Sequence, residues 1–193
     1  MFPVTLVGPR VVLREFQTDD APAIFSYASN PIVSTYVPWE THADLGVTRD
    51  YLAGLLASAR DDERSMYNLA VVTADVDSVG DGGRLIGAGR ISVENVRHQR
   101  GDVGYVLHPE WWGKGVGTEV AALLIDFGFI HLGLHRIEAT AHPDNLGSRR
   151  VLEKVGMTYE GHIRDHMLVS GTWRDSLSFA ILDTDPRTIP ATR

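Results

Sequence analysis

The spacing of apolar residues changes several times along this chain, and each change marks an element. Near the N-terminus, VTLVGPRVVLREF alternates around a Gly-Pro break and predicts two short extended stretches. TDDAPAIFSYAS follows as a helix, with Thr18 as its expected N-cap ahead of acidic first-turn residues. NPIVSTYVPWETH carries two prolines and reads as a loop. Val47, Tyr51, Leu52, Leu55 and Leu56 then recur at helical spacing. MYNLAVV and RLIGAGRISV predict strands joined across the turn-rich DSVGDGG, a mobile hairpin loop rather than a domain boundary.

The second half alternates more clearly. GDVGYVLHP has strand character and stops at Pro109. Val116, Val120, Leu123, Phe127 and Ile130 mark one face of a helix that ends by Gly133. HRIEATAH is a short strand. DNLGSRRVLEKVG is a helix with Asp144 or Asn145 as cap and Gly156 as its stop. HIRDHMLVSGTWRDSLSFAIL reads as a hairpin turning at Ser170-Gly171, with Leu177, Phe179 and Ile181 alternating. Strands alternating with helices imply an α/β core, to which the hairpins add antiparallel strands.

Composition narrows the class. A chain of 193 residues, 44% hydrophobic, suits one domain with a sizeable core, or at most two small ones. The absence of cysteine excludes disulfides, thiolate metal sites and cysteine nucleophiles. A net charge of −7 argues against general nucleic-acid binding and is compatible with a cationic partner such as an amine. No apolar run approaches the length of a membrane span, and MFPVTLVGPR lacks a signal-peptide pattern, so a cytoplasmic location is expected. His131 and His135 are four apart, but Gly133 should end the helix between them, so no metal pair is expected. His162 and His166 would share one strand face.

Candidate chemistry centres on WWGKGVGTE, residues 111 to 119, at the mouth of the helix that begins at Val116. Glycine there costs folding entropy, so the chain needs either unusual dihedrals or bare backbone. Strand, glycine-rich turn and helix together point free N–H groups and a positive helix end at a phosphate. A Walker A loop requires Ser or Thr after the lysine, and Gly115 follows Lys114. The dinucleotide fingerprint requires glycine where Thr118 stands. A packing turn and a diphosphate cradle both remain open on these residues alone.

The combination GYVLHPEWWGKGVGTE and, some thirty residues later, HRIEATAHPDNLGSRRVLEKVGM resembles the GNAT family of acyl-CoA-dependent N-acyltransferases. The likeness is closest to the branch that acetylates ribosomal-protein N-termini, and VVLREFQTDDAPAIFSYASNP extends it over nearly the whole chain. The resemblance implies a single domain over residues 1–193. Its fold would be an α/β mixed sheet, mostly antiparallel with a splayed parallel pair, and helices on both faces. It implies acetyl-CoA as co-substrate, no metal, an amine-bearing acceptor, no nucleic acid or membrane partner, and a homodimer. Gly115 and Gly117 match the family's diphosphate-turn glycines, while Trp112 replaces its Arg or Gln, a departure usual in this branch. Backbone of residues 113 to 118 (Gly113, Lys114, Gly115, Val116, Gly117 and Thr118) would hold the diphosphate, and backbone around Val106 and Leu107 the pantetheine arm. Asn145 matches the asparagine that reaches that arm, although its spacing equally suits a helix cap.

Acyl transfer from a thioester needs a neutral amine. An α-amine with a pKa near 8 is roughly a tenth neutral at pH 7; a lysine, near 10.4, is under about a thousandth. Asp102 in GDVGY occupies a position where relatives often carry glutamate and is the first candidate base, acting through water, with Glu94 as the alternative. The Leu107 amide would polarise the carbonyl. Many family members place a tyrosine on the penultimate helix to protonate the leaving thiolate; Leu152 stands there, which leaves Ser148, one turn earlier, as the donor. Tyr36, Trp39 and Trp111, large loop residues, are expected to line the acceptor pocket. The acceptor implied is a protein or peptide N-terminus, with a small-molecule amine such as an aminoglycoside as the alternative, and a non-catalytic acyl-CoA-binding regulator as a third reading.

Overall fold

A computed structural model describes residues 2–74 and 83–186; the DSVGDGG loop, apart from Gly83, lies outside the described residues. Eight strands form one sheet: β1 (Thr5–Val7), β2 (Val11–Arg14), β3 (Met66–Thr73), β4 (Leu85–Asn95), β5 (Arg100–Leu107), β6 (Arg136–Ala141), β7 (Thr158–Val169) and β8 (Thr172–Leu182). Their order is β1-β2-β3-β4-β5-β6-β8-β7. Every neighbouring pair is antiparallel except β5 and β6, which are parallel. The helices are α1 (Ala21–Ala28), α2 (Pro31–Ser34), α3 (Leu45–Ser58), α4 (Val116–Ile130) and α5 (Leu146–Lys154). A parallel pair needs a crossover, and α4 supplies it.

Two cores follow from strand alternation, one on each face of the sheet. Val103 and Leu107 on β5, Ile137 and Ala139 on β6, and Phe179 and Ile181 on β8 bury one face against α4 and Leu152 of α5. Ala70, Val72 and Leu85 bury the other against Ile24 and Tyr27 of α1 and Leu52 of α3. Helices therefore cover both faces, as the family resemblance implies. The stripe on α4 holds at Val116, Val120 and Phe127, which are buried, and fails at Ile130, which is 67% exposed at the helix end.

Several local expectations are corrected. Thr18 is not the cap of α1: residues Thr18–Asp20 form a 3-10 turn, and Asp20 receives the Gln17 amide at 2.7 Å. The expected loop after residue 30 contains α2, capped by the Asn30 side chain on the Ile32 amide, with proline in its first turn. Val47 and Tyr51 of α3 are partly exposed, while Leu52 is buried. β7 begins at Thr158, four residues ahead of the expected hairpin arm. His162 and His166 do not share a face. The β7–β8 register slips between Ile163 and Met167, where Asp165 takes φ +48°. They consequently bond to Asp175 and Ser176, consecutive residues that point to opposite faces of β8.

Candidate active site

β5 and β6 pair only at Arg100↔Arg136, Gly101↔Ile137 and Asp102↔Glu138. Beyond that point they diverge, although β5 continues to Leu107 and β6 to Ala141. The β5 edge that faces the gap can be read from its other ladder. The His108 amide donates to the Ile86 carbonyl at 2.7 Å, so residues 108, 106 and 104 direct their backbone groups at β4. Residues 107, 105 and 103 direct theirs into the gap. Val106 thus spends its backbone on β4, whereas Leu107 offers its N–H to the opening. The Leu107 carbonyl accepts from the Trp112 indole at 2.8 Å, which ties the strand end to the following turn.

That turn is built for left-handed backbone. Gly113 and Gly115 have φ of +72° and +78°, values that a side chain disfavours. Gly115 is the N-cap of α4 and brings no side chain to its first turn. The first helical bond runs from the Glu119 amide to the Gly115 carbonyl, so the N–H groups of residues 116 to 118 lie outside the helix ladder. Residues 112 to 115 of the turn ahead of this positive helix end are exposed, while Val116 and Gly117 are buried. Gly117 differs: it is buried, and a Cβ there would lie 3.2 Å from the Tyr105 ring and 3.4 Å from Val151. Its bareness serves close packing at the mouth of the gap.

Arg10, which the sequence reading missed, braces this turn from behind. Its guanidinium donates to the Lys114 and Gly115 carbonyls at 2.7 and 3.1 Å and to Glu119 at 2.7 Å. Glu119 is 2% exposed and also accepts the Arg10 and Val11 amides. These bonds fix the Lys114 and Gly115 carbonyls on Arg10 and so hold the turn against β2. Lys114 lies over the Trp111 ring at 5.4 Å, and Arg149 pairs with Glu153.

Asp102 and Ser148 flank the gap from opposite faces. Asp102 shares a face with Val106 and forms an ion pair with Arg90. Burial, helped by the nearby Glu94 and Glu138 charges, raises its carboxyl to about 6 against the opposing pull of Arg90. Glu94 itself accepts from the Ser92 hydroxyl at 2.5 Å. Ser148 lies in the first turn of α5, and its amide donates to Asn145 Oδ1 at 3.0 Å, so Asn145 is the cap, at least with that oxygen. Leu152 is buried in the α4-side core. The Tyr105 phenol, also overlooked in the sequence, reaches Ser148 from β5.

The aromatic residues expected to line the acceptor pocket lie in two places, Tyr36 and Trp39 beside α2 and Trp111 on the opposite face. Tyr36 packs on His142 with ring centroids 5.2 Å apart, and Trp39 packs on His42 at 5.7 Å. Trp39 also lines a cavity of about 360 Å³ with Thr35, Glu40, Ser170 and Arg174. Trp111 instead packs on the α4-side core, with its indole Nε1 buried and unpaired among the described residues.

A family profile described as acetyltransferase (GNAT) domain matches residues 10–158. The chain belongs to the GNAT acetyltransferase family. Among GNAT relatives it is 31% identical to the N-acetyltransferase YoaA of Bacillus subtilis, over 94% of this chain and 98% of that protein. A [ribosomal protein uS5]-alanine N-acetyltransferase of Escherichia coli is 32% identical, over 43% of each chain. Mycobacterium smegmatis RimJ, solved in complex with CoA-disulfide, superposes with a TM-score of 0.78 at 29% identity, covering 94% of this chain and 88% of that one. The chain is therefore a GNAT-type N-acyltransferase, of a family that uses acetyl-CoA as co-substrate and an amine as acceptor.

Proposed function

We propose that this GNAT enzyme acetylates the N-terminal amine of a protein or peptide, by direct transfer between acetyl-CoA and the acceptor in the β5–β6 gap. The observation that carries the reading is the separation of Asp102 and Ser148 onto opposite faces of that gap. Acetyl-CoA enters from the α4 side, its diphosphate on the amides of residues 113 to 118 and its pantetheine arm along the β5 edge at Leu107 and Asn145. The acceptor enters from the Asp102 side.

A carboxyl with a pKa of about 6 is ionised at neutral pH yet more basic than an ordinary aspartate. That suits removal of a proton, through water, from an α-amine whose own pKa lies near 8. The amine attacks the thioester carbonyl, which the Leu107 N–H polarises, and the C–N bond forms. Collapse of the adduct breaks the C–S bond. The electron pair leaves on sulfur, where the Ser148 hydroxyl meets it; of the two protons the ammonium gives up, the first leaves Asp102 through water before attack and the second then passes to Asp102. An N-terminal amine demands less of this base than a lysine would, and the partial likeness to a uS5-alanine acetyltransferase favours the same acceptor class.

The test is thiol release from acetyl-CoA with a panel of N-terminal peptides, polyamines and aminoglycosides. Turnover on Ala- or Ser-initiated peptides, with the product modified at the α-amine, is expected. Turnover confined to the small amines would replace the peptide acceptor. Tight acetyl-CoA binding without release on any amine would make the protein a regulator.

A further inference from the structure

Ser148 carries one hydroxyl proton and two lone pairs on a rotor that can point in three directions. Its use against a leaving sulfur depends on which direction the proton takes. The surroundings restrict that choice. Tyr105 projects from β5 on the α4–α5 face, with its ring edge against Gly117, and its phenol donates to Ser148 Oγ at 3.4 Å. The distance is long for an O–H···O bond, the looseness usual for catalytic hydrogen bonds before substrate is held. Asn145 fixes the other end of the arrangement by accepting the Ser148 amide at 3.0 Å.

A donor aimed at one Ser148 lone pair turns the serine's own proton away from β5 and from the cap. We propose that Tyr105 is a positioning residue that sets the Ser148 hydroxyl as a donor toward the departing sulfur of coenzyme A. The proposal rests on the reading of Ser148 given above. The phenol must stay protonated to act this way. Burial pushes it up to about 12, although its bond to Ser148 pulls the other way, so it remains a donor throughout the working pH range. It keeps its proton through the reaction, because an alkyl thiol near about 8.5 would not take a proton from it at equilibrium. Tyr105 therefore orients, and Ser148 makes the contact.

Tyr105→Phe retains the ring that packs on Gly117 and removes the hydroxyl alone. Expected is a loss in kcat of roughly three- to tenfold with an unchanged KM for acetyl-CoA, against roughly ten- to a hundredfold for Ser148→Ala. The double variant should be no slower than Ser148→Ala, since no serine hydroxyl remains to be oriented. Losses that multiply in the double variant, or a Tyr105→Phe effect confined to KM, overturn the proposal. Full activity of Tyr105→Phe beside an impaired Ser148→Ala overturns it while leaving the role of Ser148 standing. Full activity of Ser148→Ala removes both.

Discussion

Asp102→Asn should make the enzyme slower and more stable together, with the stability gain depending on pH. In the fold the Asp102 carboxyl titrates near 6 instead of 3.8. That rise corresponds to about 3 kcal/mol by which folding disfavours the charged form. The side chain keeps 24% of its surface exposed, so water screening lowers the realised value to about 1–2 kcal/mol. The sign follows from proton counting. Between pH 3.8 and 6 the native state binds more protons than the unfolded chain, so stability falls as pH rises, and the penalty is complete above about pH 6. Asparagine cannot ionise and escapes it. Arg90 loses an ionic partner, but its side chain is 38% exposed and water compensates it.

Urea denaturation at pH 7.5 should therefore place the variant about 1–2 kcal/mol above the parent, shrinking to roughly a third of that at pH 4.5. In parallel, the rise of kcat/KM through pH 6 should vanish, with partial recovery at high pH where free amine is plentiful. A variant less stable at pH 7.5, or a difference equal at the two pH values, would refute the argument that the carboxylate is held against its desolvation cost. An equal activity loss at every pH would make Asp102 structural, and a negligible one would move the base to Glu94.

Two further outcomes test the scaffold. Arg10→Met should raise the KM for acetyl-CoA roughly tenfold, because the Lys114 and Gly115 carbonyls lose their brace, and should cost about 1–3 kcal/mol by removing the side-chain partner of buried Glu119; unchanged values in steady-state kinetics and thermal melting would remove Arg10 from the cradle. At Gly128 a Cβ would stand 2.6 Å from Ile91 and 2.7 Å from Ile137, so Gly128→Val should lift α4 from the sheet at about 1–3 kcal/mol, read as a lower urea midpoint.

What could be read from the chain divides by range of interaction. The α4 stripe at Val116, Val120 and Phe127 and the alternation at Leu177, Phe179 and Ile181 were legible because burial imposes a local period. The glycine turn was legible because φ above zero selects glycine at 113 and 115. α2 was not, since four residues carry no period, and the opposed faces of His162 and His166 depend on a register slip that spacing cannot show. The Arg10–Glu119 brace joins residues 109 apart, and the Tyr105–Ser148 contact joins residues 43 apart. The first exists because α4 packs over β1 and β2, and the second because the crossover through α4 and β6 returns the chain to α5 beside β5.

The same distinction separates the two halves of the site. In the proposed mechanism coenzyme A recognition relies on backbone, which a motif encodes directly: bare amides at a helix start, and a strand edge left open where β6 departs. Acceptor recognition in that mechanism would instead draw on side chains from several elements. Tyr36 and Trp39 come from the segment around α2, and Arg174 and Ser170 come from the β7–β8 hairpin. Arg174 donates to the Thr35 carbonyl at 2.9 Å, and the Ser170 hydroxyl donates to Glu40 at 3.0 Å, so the hairpin and the α2 segment hold each other. A change of acceptor within this fold can therefore be made by altering these two segments, while the glycine turn and the β5 edge stay as they are. That explains how one family resemblance can specify the acetyl donor and still leave the amine open.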